Sequence, residues 1–228
     1  MLFKIKNVRT KIRPSFKLGV KILEDNNEID SNLINKAAEV IKNGGLVVFP
    51  TETVYGIGAN ALDEDAIKKL YIAKGRSFNK KTSILVGSID MLNKVTQDVS
   101  PVEKRLIEKF FPGPLTIILH KQSIIPGVLT NNESIVGFRM PDNQIALDLI
   151  NKVGSPIATS SANKSGELSG VNIEDIKDIF KEEVDFYIDG GKSKLGIAST
   201  IVQVIDGIPC IIREGTITKE DLEKAVNE

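Results

Sequence analysis

The chain has 228 residues, of which 41% are hydrophobic, so it can bury one substantial core. Its thirty basic and thirty acidic residues balance, which excludes a net charge strong enough to indicate nucleic-acid or membrane binding by itself. A single cysteine, Cys210, excludes a disulfide framework and favours a reducing, cytoplasmic compartment.

The first segment, residues 1–27, is the one part of the sequence with a strongly asymmetric charge pattern. It carries seven basic residues before the first acid, Glu24. Its alternation of basic and apolar residues fits neither a signal peptide nor a membrane span. Two interpretations remain open: an arm that contacts tRNA or a partner protein, or an N-terminal extension or edge strand whose lysines discourage edge-to-edge pairing.

The rest of the chain alternates helical and strand patterns, which are marked by caps, glycines and prolines. The first predicted elements are a helix from Asp30 or Ser31 to Gly44, a strand at 46–49, a helix capped by Asp63, and a strand at 83–86. A short helix from Ser88, a helix with a capping box at Ser100, and strands at 115–119 and 135–138 follow. The last predicted elements are a helix capped by Asp142, a strand at 156–158, a helix from Asn172, a strand at 186–188, a hairpin of 199–205 and 209–213, and a helix at 218–227.

This alternation predicts an α/β fold in which one twisted mixed sheet, with parallel and antiparallel strands, is packed against helices. We expect residues 1–228 to form a single domain. The pattern contains neither a G-x-x-x-x-G-K-S/T phosphate loop nor a G-x-G-x-x-G turn, which excludes the two commonest nucleotide-binding motifs.

The stretch 46–76 contains the most informative pattern in the sequence. Its strand stops at Pro50, and a polar loop with glycines separates it from the helix that Asp63 caps. The apolar stripe of that helix leads to Lys74, with Arg76 two residues later. Two interpretations stay open: cations directed toward the 51–55 loop, or side chains that extend to solvent at a helix C-terminus, where positive charge is favourable.

Two isolated residues carry weaker signals. Cys210 lies in an apolar run, 208–212, and we expect it to be buried. His120 is the single histidine, and with no second histidine or cysteine to complete a metal site we expect it to be a bystander. We therefore predict no protein-bound metal centre.

Polar residues concentrate where the predicted strands end. Four of them are cations, Glu52 is the one acid near them, and short hydroxyl and amide side chains complete the set. Lysine supplies a point charge and arginine a planar fork that matches phosphate or carboxylate oxygens, so a polyanion is the expected ligand. Because the chain has one histidine, a Ser-His-Asp or Cys-His mechanism is disfavoured. Positioning of the reactants and neutralisation of their charge remain as the expected means of catalysis. The set comprises Thr51, Lys74, Arg76, Arg139, Thr159, Ser161, Asn163, Ser199 and Arg213.

The motif PTETVYGIG at 50–58, followed by KGR at 74–76, resembles the YrdC-like, threonylcarbamoyl-AMP synthase family. Further similarity appears at 111–119, 159–163 and 199–202, so that the resemblance extends from about residue 33 to residue 215. It implies the YrdC-like fold in its short, single-domain form. It also implies synthesis of L-threonylcarbamoyl-AMP from L-threonine, bicarbonate and ATP, with release of pyrophosphate, for N6-threonylcarbamoyladenosine in tRNA.

The resemblance also implies roles for individual residues. Lys74 and Arg76 are the expected catalytic residues. ATP would be bound by Lys74, Arg76, Ser161, Asn163 and Arg213. Threonine would be bound by Thr51, Arg139, Thr159 and Ser199. Mg²⁺ would accompany ATP, held by phosphates and water. The expected partner is a separate tRNA threonylcarbamoyl transferase, with a weak tRNA contact possible and no membrane association.

The sequence departs from the family pattern just after KGR. Many members continue with proline and then with proline-leucine and a histidine, whereas here Ser77, Lys81-Thr82 and Leu85 stand at those positions. This departure leaves room for a paralogue that acts on a different amino acid. A double-stranded RNA or tRNA-binding module of the same fold is the other alternative, and it predicts cations spread over an exposed face.

Overall fold

The computed structural model describes residues 20–21, 31–167 and 172–227 of the chain. Its helices are α1 (Ser31–Lys42), α2 (Glu64–Ala73), α3 (Ile89–Val95), α4 (Pro101–Phe110), α5 (Gly127–Thr130), α6 (Gln144–Val153), α7 (Ile173–Phe180) and α8 (Lys219–Asn227). Its strands are β1 (Val20–Lys21), β2 (Val47–Phe49), β3 (Gly56–Asn60), β4 (Ser83–Leu85), β5 (Leu115–His120), β6 (Ile135–Arg139), β7 (Ile157–Ser161), β8 (Phe186–Asp189), β9 (Thr200–Ile205) and β10 (Ile208–Arg213).

Across these described ranges the strands form one sheet in the order β1-β8-β2-β3-β7-β4-β6-β5-β9-β10. The pairs β1–β8, β2–β8, β4–β6 and β5–β9 are parallel, and the other neighbouring pairs are antiparallel. The predicted α/β fold with a mixed sheet is therefore confirmed. The predicted hairpin is also confirmed, since β9 and β10 pair across Asp206-Gly207, both of which have positive φ.

One face of the sheet is covered along most of its width. Alternate residues of the strands from β8 to β9 point into a single apolar core, and the buried sides of α2, α3, α4, α5, α7 and α8 complete it. Because strand side chains alternate between the two faces, this core fixes which residues of each strand face the other side.

The second face is covered over half of its width. There α1 and α6 pack on residues of β8, β2, β7 and β4, including Phe49 and Ile157, and form a second, smaller core. The second-face residues of β6, β5 and β9 belong to neither core, and they include Gly137, Arg139 and Thr116. We call this region the open half of the sheet.

The structure corrects four details of the sequence interpretation. The segment predicted as a loop after Pro50 contains β3, a strand that sequence reasoning missed because two of its five residues are glycines. These glycines allow close packing, since a Cβ on Gly58 would lie 2.8 Å from Phe49 and 2.6 Å from Ile157. Helix α6 is capped by Asn143 and not by Asp142, because the Asn143 side chain accepts the bond from the Ala146 amide.

The other two corrections concern β7 and Cys210. Strand β7 extends to Ser161, so the hydroxyls of 159–161 lie on a strand and not in a turn. Cys210 is partly exposed, because it lies on β10, which is paired on one side in the sheet order of the described residues.

The basic segment 1–27 lies outside the described residues except for Val20–Lys21, which forms β1 at one edge of the described sheet. Its two interpretations stay open.

No helix within the described ranges is both long and apolar enough to cross a membrane.

Helix α2 supports the focal segment and begins with a complete N-cap. Asp63 Oδ1 accepts hydrogen bonds from the amides of Asp65, at 3.0 Å, and Ala66, at 3.1 Å. We expect Asp63→Ala to lower the free energy of unfolding by about 1 kcal/mol, because two amides lose their acceptor. Urea denaturation measures this change. The matched variant Asp65→Ala removes an exposed acid from the first turn of the same helix, and it should change the free energy of unfolding by less than about 0.5 kcal/mol. Equal effects of the two substitutions would contradict the capping assignment.

Candidate functional site

The predicted site residues lie partly at the ends of β2 and β7 and partly on the open half of the sheet. Thr159 in β7 and Arg139 in β6 occupy second-face positions, and Ser199 and Arg213 flank the β9–β10 hairpin. Lys74 and Arg76 follow α2, whose buried residues pack in the first-face core. The fold therefore brings Lys74 to the end of β7, and it brings Arg139, Ser199 and Arg213 together on the open half of the sheet.

Lys74 is held at the end of β7. Its Nζ donates to Ser161 O at 2.5 Å, to Asn163 O at 2.6 Å and to Asn163 Oδ1 at 3.3 Å. The Ser161 hydroxyl donates to Asn163 Oδ1 at 2.5 Å. Lys74 is 2% exposed, so of the two interpretations left open, the one in which its side chain extends to solvent is wrong. A buried ammonium group needs acceptors, and the 161–163 segment supplies them. Three of the predicted ATP-binding residues therefore form one hydrogen-bonded cluster.

The environment of Lys74 lowers the pKa of its ammonium group to about 7. Burial is the main cause because it penalises the charged form, and the positive charges of Arg76 and Lys164 act in the same direction. An anion placed next to Lys74 would reverse this effect. The lysine is thus a group whose charge depends on whether a ligand is bound.

Arg76 has a different environment. It is partly exposed, and its guanidinium donates to the carbonyl oxygens of Lys80, at 3.4 Å, and Lys81, at 2.5 Å. These bonds tie the divergent 77–82 loop to the residue after α2. Within that loop, Thr82 is buried and its hydroxyl has no partner among the described residues.

Arg139 is paired with the one acid that sequence analysis noted near the cations. Its Nη2 lies 2.7 Å from Glu52 Oε2, and its Nε donates to Gly113 O at 3.2 Å. The Glu52 and Arg139 side chains are 5% and 9% exposed. Sequence reasoning left Glu52 out of the site. Its place between Thr51 and Thr53 in the PTET motif was the signal that could have included it.

Arg213 and Ser199 form a third group. The Arg213 guanidinium donates to Ser199 O at 3.2 and 2.7 Å and to Ser199 Oγ at 3.2 Å. Ser199 Oγ lies 2.8 Å from Thr116 Oγ1, a contact that sequence analysis missed because Thr116 lies inside an apolar strand. Burial lowers the pKa of Arg213, and the positive charge of Arg139 lowers it further, so the two arginines share one electrostatic environment.

The two predicted threonine side chains have local partners. Thr51 Oγ1 donates to Val54 O at 2.6 Å and lies 2.9 Å from Thr53 Oγ1, which shapes the loop after β2. Thr159 Oγ1 donates to Ile157 O at 3.2 Å. Each hydroxyl keeps lone pairs with which it could accept a further bond.

Potential metal ligands are sparse in the part of the chain that the structure describes, where no three His, Cys, Asp or Glu side chains converge. His120 is exposed at the end of β5. Glu52 is the acid in direct contact with a site cation, through its pair with Arg139.

Comparison with known proteins identifies the family. The family model Sua5_yciO_yrdC, described as "Telomere recombination", matches residues 39–215. The chain belongs to the Sua5/YciO/YrdC family. This result confirms the family that the motifs at 50–58 and 74–76 indicated.

Individual relatives of this Sua5/YciO/YrdC member are similar over most of its length. A threonylcarbamoyl-AMP synthase of Pyrococcus abyssi is 38% identical over 207 residues, which cover 91% of this chain and 61% of the relative. A putative threonylcarbamoyl-AMP synthase of Methanocaldococcus jannaschii is 38% identical over 205 residues, which cover 90% of this chain and 96% of the relative. The chain thus spans about three fifths of the first protein and nearly all of the second.

A solved structure resembles the fold closely. The crystal structure of P. abyssi Sua5 complexed with L-threonine superimposes with a TM-score of 0.88 at 37% identity, covering 93% of this chain and 62% of that one. The YrdC-like architecture predicted from the sequence is thereby confirmed.

The low pKa of Lys74 gives a testable pH dependence. The ammonium form binds an anion, and it is lost as the pH rises through about 7. We expect the affinity for pyrophosphate, measured by calorimetry, to fall about tenfold per pH unit above that value. The control is Lys74→Arg, which stays charged throughout, so that its affinity follows the protonation of pyrophosphate alone. Parallel profiles for the two proteins would contradict the assignment.

Proposed function

We propose that this Sua5/YciO/YrdC member makes L-threonylcarbamoyl-AMP from L-threonine, bicarbonate and ATP, with release of pyrophosphate. One observation carries the proposal: Lys74, Ser161 and Asn163 form a hydrogen-bonded cluster around the buried Lys74 ammonium group at the end of β7. The relatives named threonylcarbamoyl-AMP synthase and the threonine complex of P. abyssi Sua5 support it.

In this proposal the nucleotide phosphates bind Lys74, Arg76, Ser161, Asn163 and Arg213. The phosphates supply the anion that restores the charge of Lys74. The bonds to Ser161 and Asn163 fix the direction of the lysine before the ligand arrives, so little reorganisation is needed on binding. Arg213 contributes a planar fork whose position is set by its bonds to Ser199.

The amino acid binds Thr51, Arg139, Thr159 and Ser199 in the same proposal. Arg139 receives the α-carboxylate, and the hydroxyls receive the polar groups of threonine. Arg139 and Arg213 act on each other electrostatically, which supports adjacent sites for the amino acid and the nucleotide.

The reaction then proceeds by positioning and charge neutralisation. The amine of threonine and bicarbonate give N-carboxythreonine with loss of water. A carbamate oxygen attacks the α-phosphorus of ATP, the bond to the β-phosphate oxygen breaks, and pyrophosphate leaves. Lys74 and Arg76 are the catalytic residues, because they hold two anions together and neutralise the charge that develops in the transition state. Mg²⁺ would enter with ATP, held by phosphate oxygens and water because no three metal-binding side chains converge in the described part of the chain, and it would supply further charge neutralisation.

The product is an activated intermediate for N6-threonylcarbamoyladenosine in tRNA. A separate tRNA threonylcarbamoyl transferase in the cytoplasm is the proposed acceptor, and tRNA itself makes at most a weak contact with this chain. The burial of Lys74 and Arg139 favours a small-molecule site over the RNA-binding alternative, since an RNA-binding surface needs exposed cations.

Pyrophosphate release from ATP tests the proposal, with bicarbonate present and L-threonine, L-serine or no amino acid added. We expect turnover that requires L-threonine, with threonylcarbamoyl-AMP identified by mass spectrometry. Selective turnover with another amino acid would favour the paralogue, and no turnover by folded protein would overturn the proposed activity.

Two substitutions test the catalytic assignment. Lys74→Ala and Arg76→Ala should each lower kcat/KM by at least about 100-fold, because charge stabilisation in the transition state is lost. The matched variant Lys68→Ala removes an exposed lysine of α2 that pairs with Glu64 at 2.8 Å, and its activity should stay near that of the unaltered protein. A fully active Lys74→Ala protein would contradict the assignment.

A further inference from the structure

The Glu52–Arg139 pair is incompletely satisfied. The two groups approach to 2.7 Å, yet Arg139 Nη2 and both carboxylate oxygens of Glu52 make no hydrogen bond of acceptable geometry among the described residues. These atoms are almost fully removed from solvent. A buried carboxylate can accept several hydrogen bonds, and leaving them unmade is costly. Arg139 thus neutralises the charge of Glu52, but the carboxylate oxygens lack well-directed donors.

The surroundings keep Glu52 in place although its carboxylate lacks donors. The Leu195 amide donates to Glu52 O at 2.8 Å, which ties the 190–197 segment to the loop after β2. Arg139 is fixed by its Nε bond to Gly113 O at 3.2 Å. Glu52 and Arg139 are thus held side by side by backbone contacts.

We infer that Glu52 recognises the α-amine of the amino-acid substrate, while Arg139 binds its α-carboxylate. This inference rests on the proposed function, in which an amino acid is the ligand of Arg139. Amine and carboxylate are attached to the same carbon, so a ligand bound to Arg139 brings its amine within reach of Glu52. The amine supplies the N–H donors that the Glu52 oxygens lack, and the α-carboxylate supplies an acceptor for Nη2.

Charge complementarity supports the same arrangement. A zwitterion brings one positive and one negative charge, which match the negative and positive charges of the pair, so no net charge is buried on binding. A simple carboxylate would place a second anion beside Glu52 and would bring no compensating positive charge. Glu52 therefore makes Arg139 selective for amino acids over other carboxylates.

The decisive comparison uses L-threonine and its 2-hydroxy analogue, 2,3-dihydroxybutanoate, which keeps the carboxylate and the side chain but has no amine. Calorimetry gives the dissociation constant of each ligand. We expect the unaltered protein to prefer L-threonine by about 30-fold, the size of one charged hydrogen bond. In Glu52→Gln the preference should fall to within about threefold, with the affinity for an ATP analogue unchanged, because the amide keeps the shape of the side chain but not its charge.

Controls separate recognition from general damage. Glu39→Gln makes the same change at an exposed acid of α1, paired with Lys42 at 3.1 Å, and should keep the full preference. Glu52→Asp retains the carboxylate and should keep an intermediate preference, which provides the test if Glu52→Gln does not fold. If substitution weakens both ligands equally, Glu52 only supports Arg139 and the inference is overturned. If the unaltered protein binds neither ligand, the proposed function fails instead.

Discussion

The Lys74 ammonium group is buried where α2 ends, and three oxygen acceptors on the 161–163 segment hold it there. A cation in that position costs free energy unless it is partnered, so the conformations of the helix end and the strand end depend on each other. Helix α2 packs in the core on the first face, whereas Ser161 pairs with Gly56 within the sheet. The interaction thereby connects the first-face core to the end of β7.

A second constraint is the unequal covering of the sheet. Six helices complete the first-face core, but α1 and α6 cover the second face only as far as β4. Beyond β4, the second-face positions of the strands are free of core packing, and polar residues such as Thr116 and Arg139 stand there. The Arg139 and Arg213 part of the site therefore lies where no helix of the described residues covers the sheet, while the opposite side of the same strands is packed in the first-face core. Rigid support of this kind fixes ligand-binding groups more accurately than a loop would.

The charged groups of the site are only partly neutralised by the groups in direct contact with them. Among the described residues, Lys74 has oxygen acceptors but no carboxylate in contact, and Arg139 has a carboxylate whose oxygens lack well-directed donors. Anions at the first group and a zwitterion at the second would complete both sets of interactions. The proposed nucleotide site is thus positively charged and suits an anion, whereas the proposed amino-acid site is neutral overall and suits a zwitterion. This difference in net charge separates the two ligands.

The sequence by itself determined most elements and the family. The local signals include the caps at Asp63, Ser88 and Ser100, the breaker at Pro50 and the Asp206-Gly207 turn. Each was confirmed because its physical effect acts within a few residues. The sequence missed β3, whose glycines are accepted only because Phe49 and Ile157 pack against them. It left the direction of Lys74 open and did not assign Glu52 a role. Only the tertiary structure decided these points, because the acceptors of Lys74 lie 87 and 89 residues away and Arg139 lies on a different strand from the Glu52 loop.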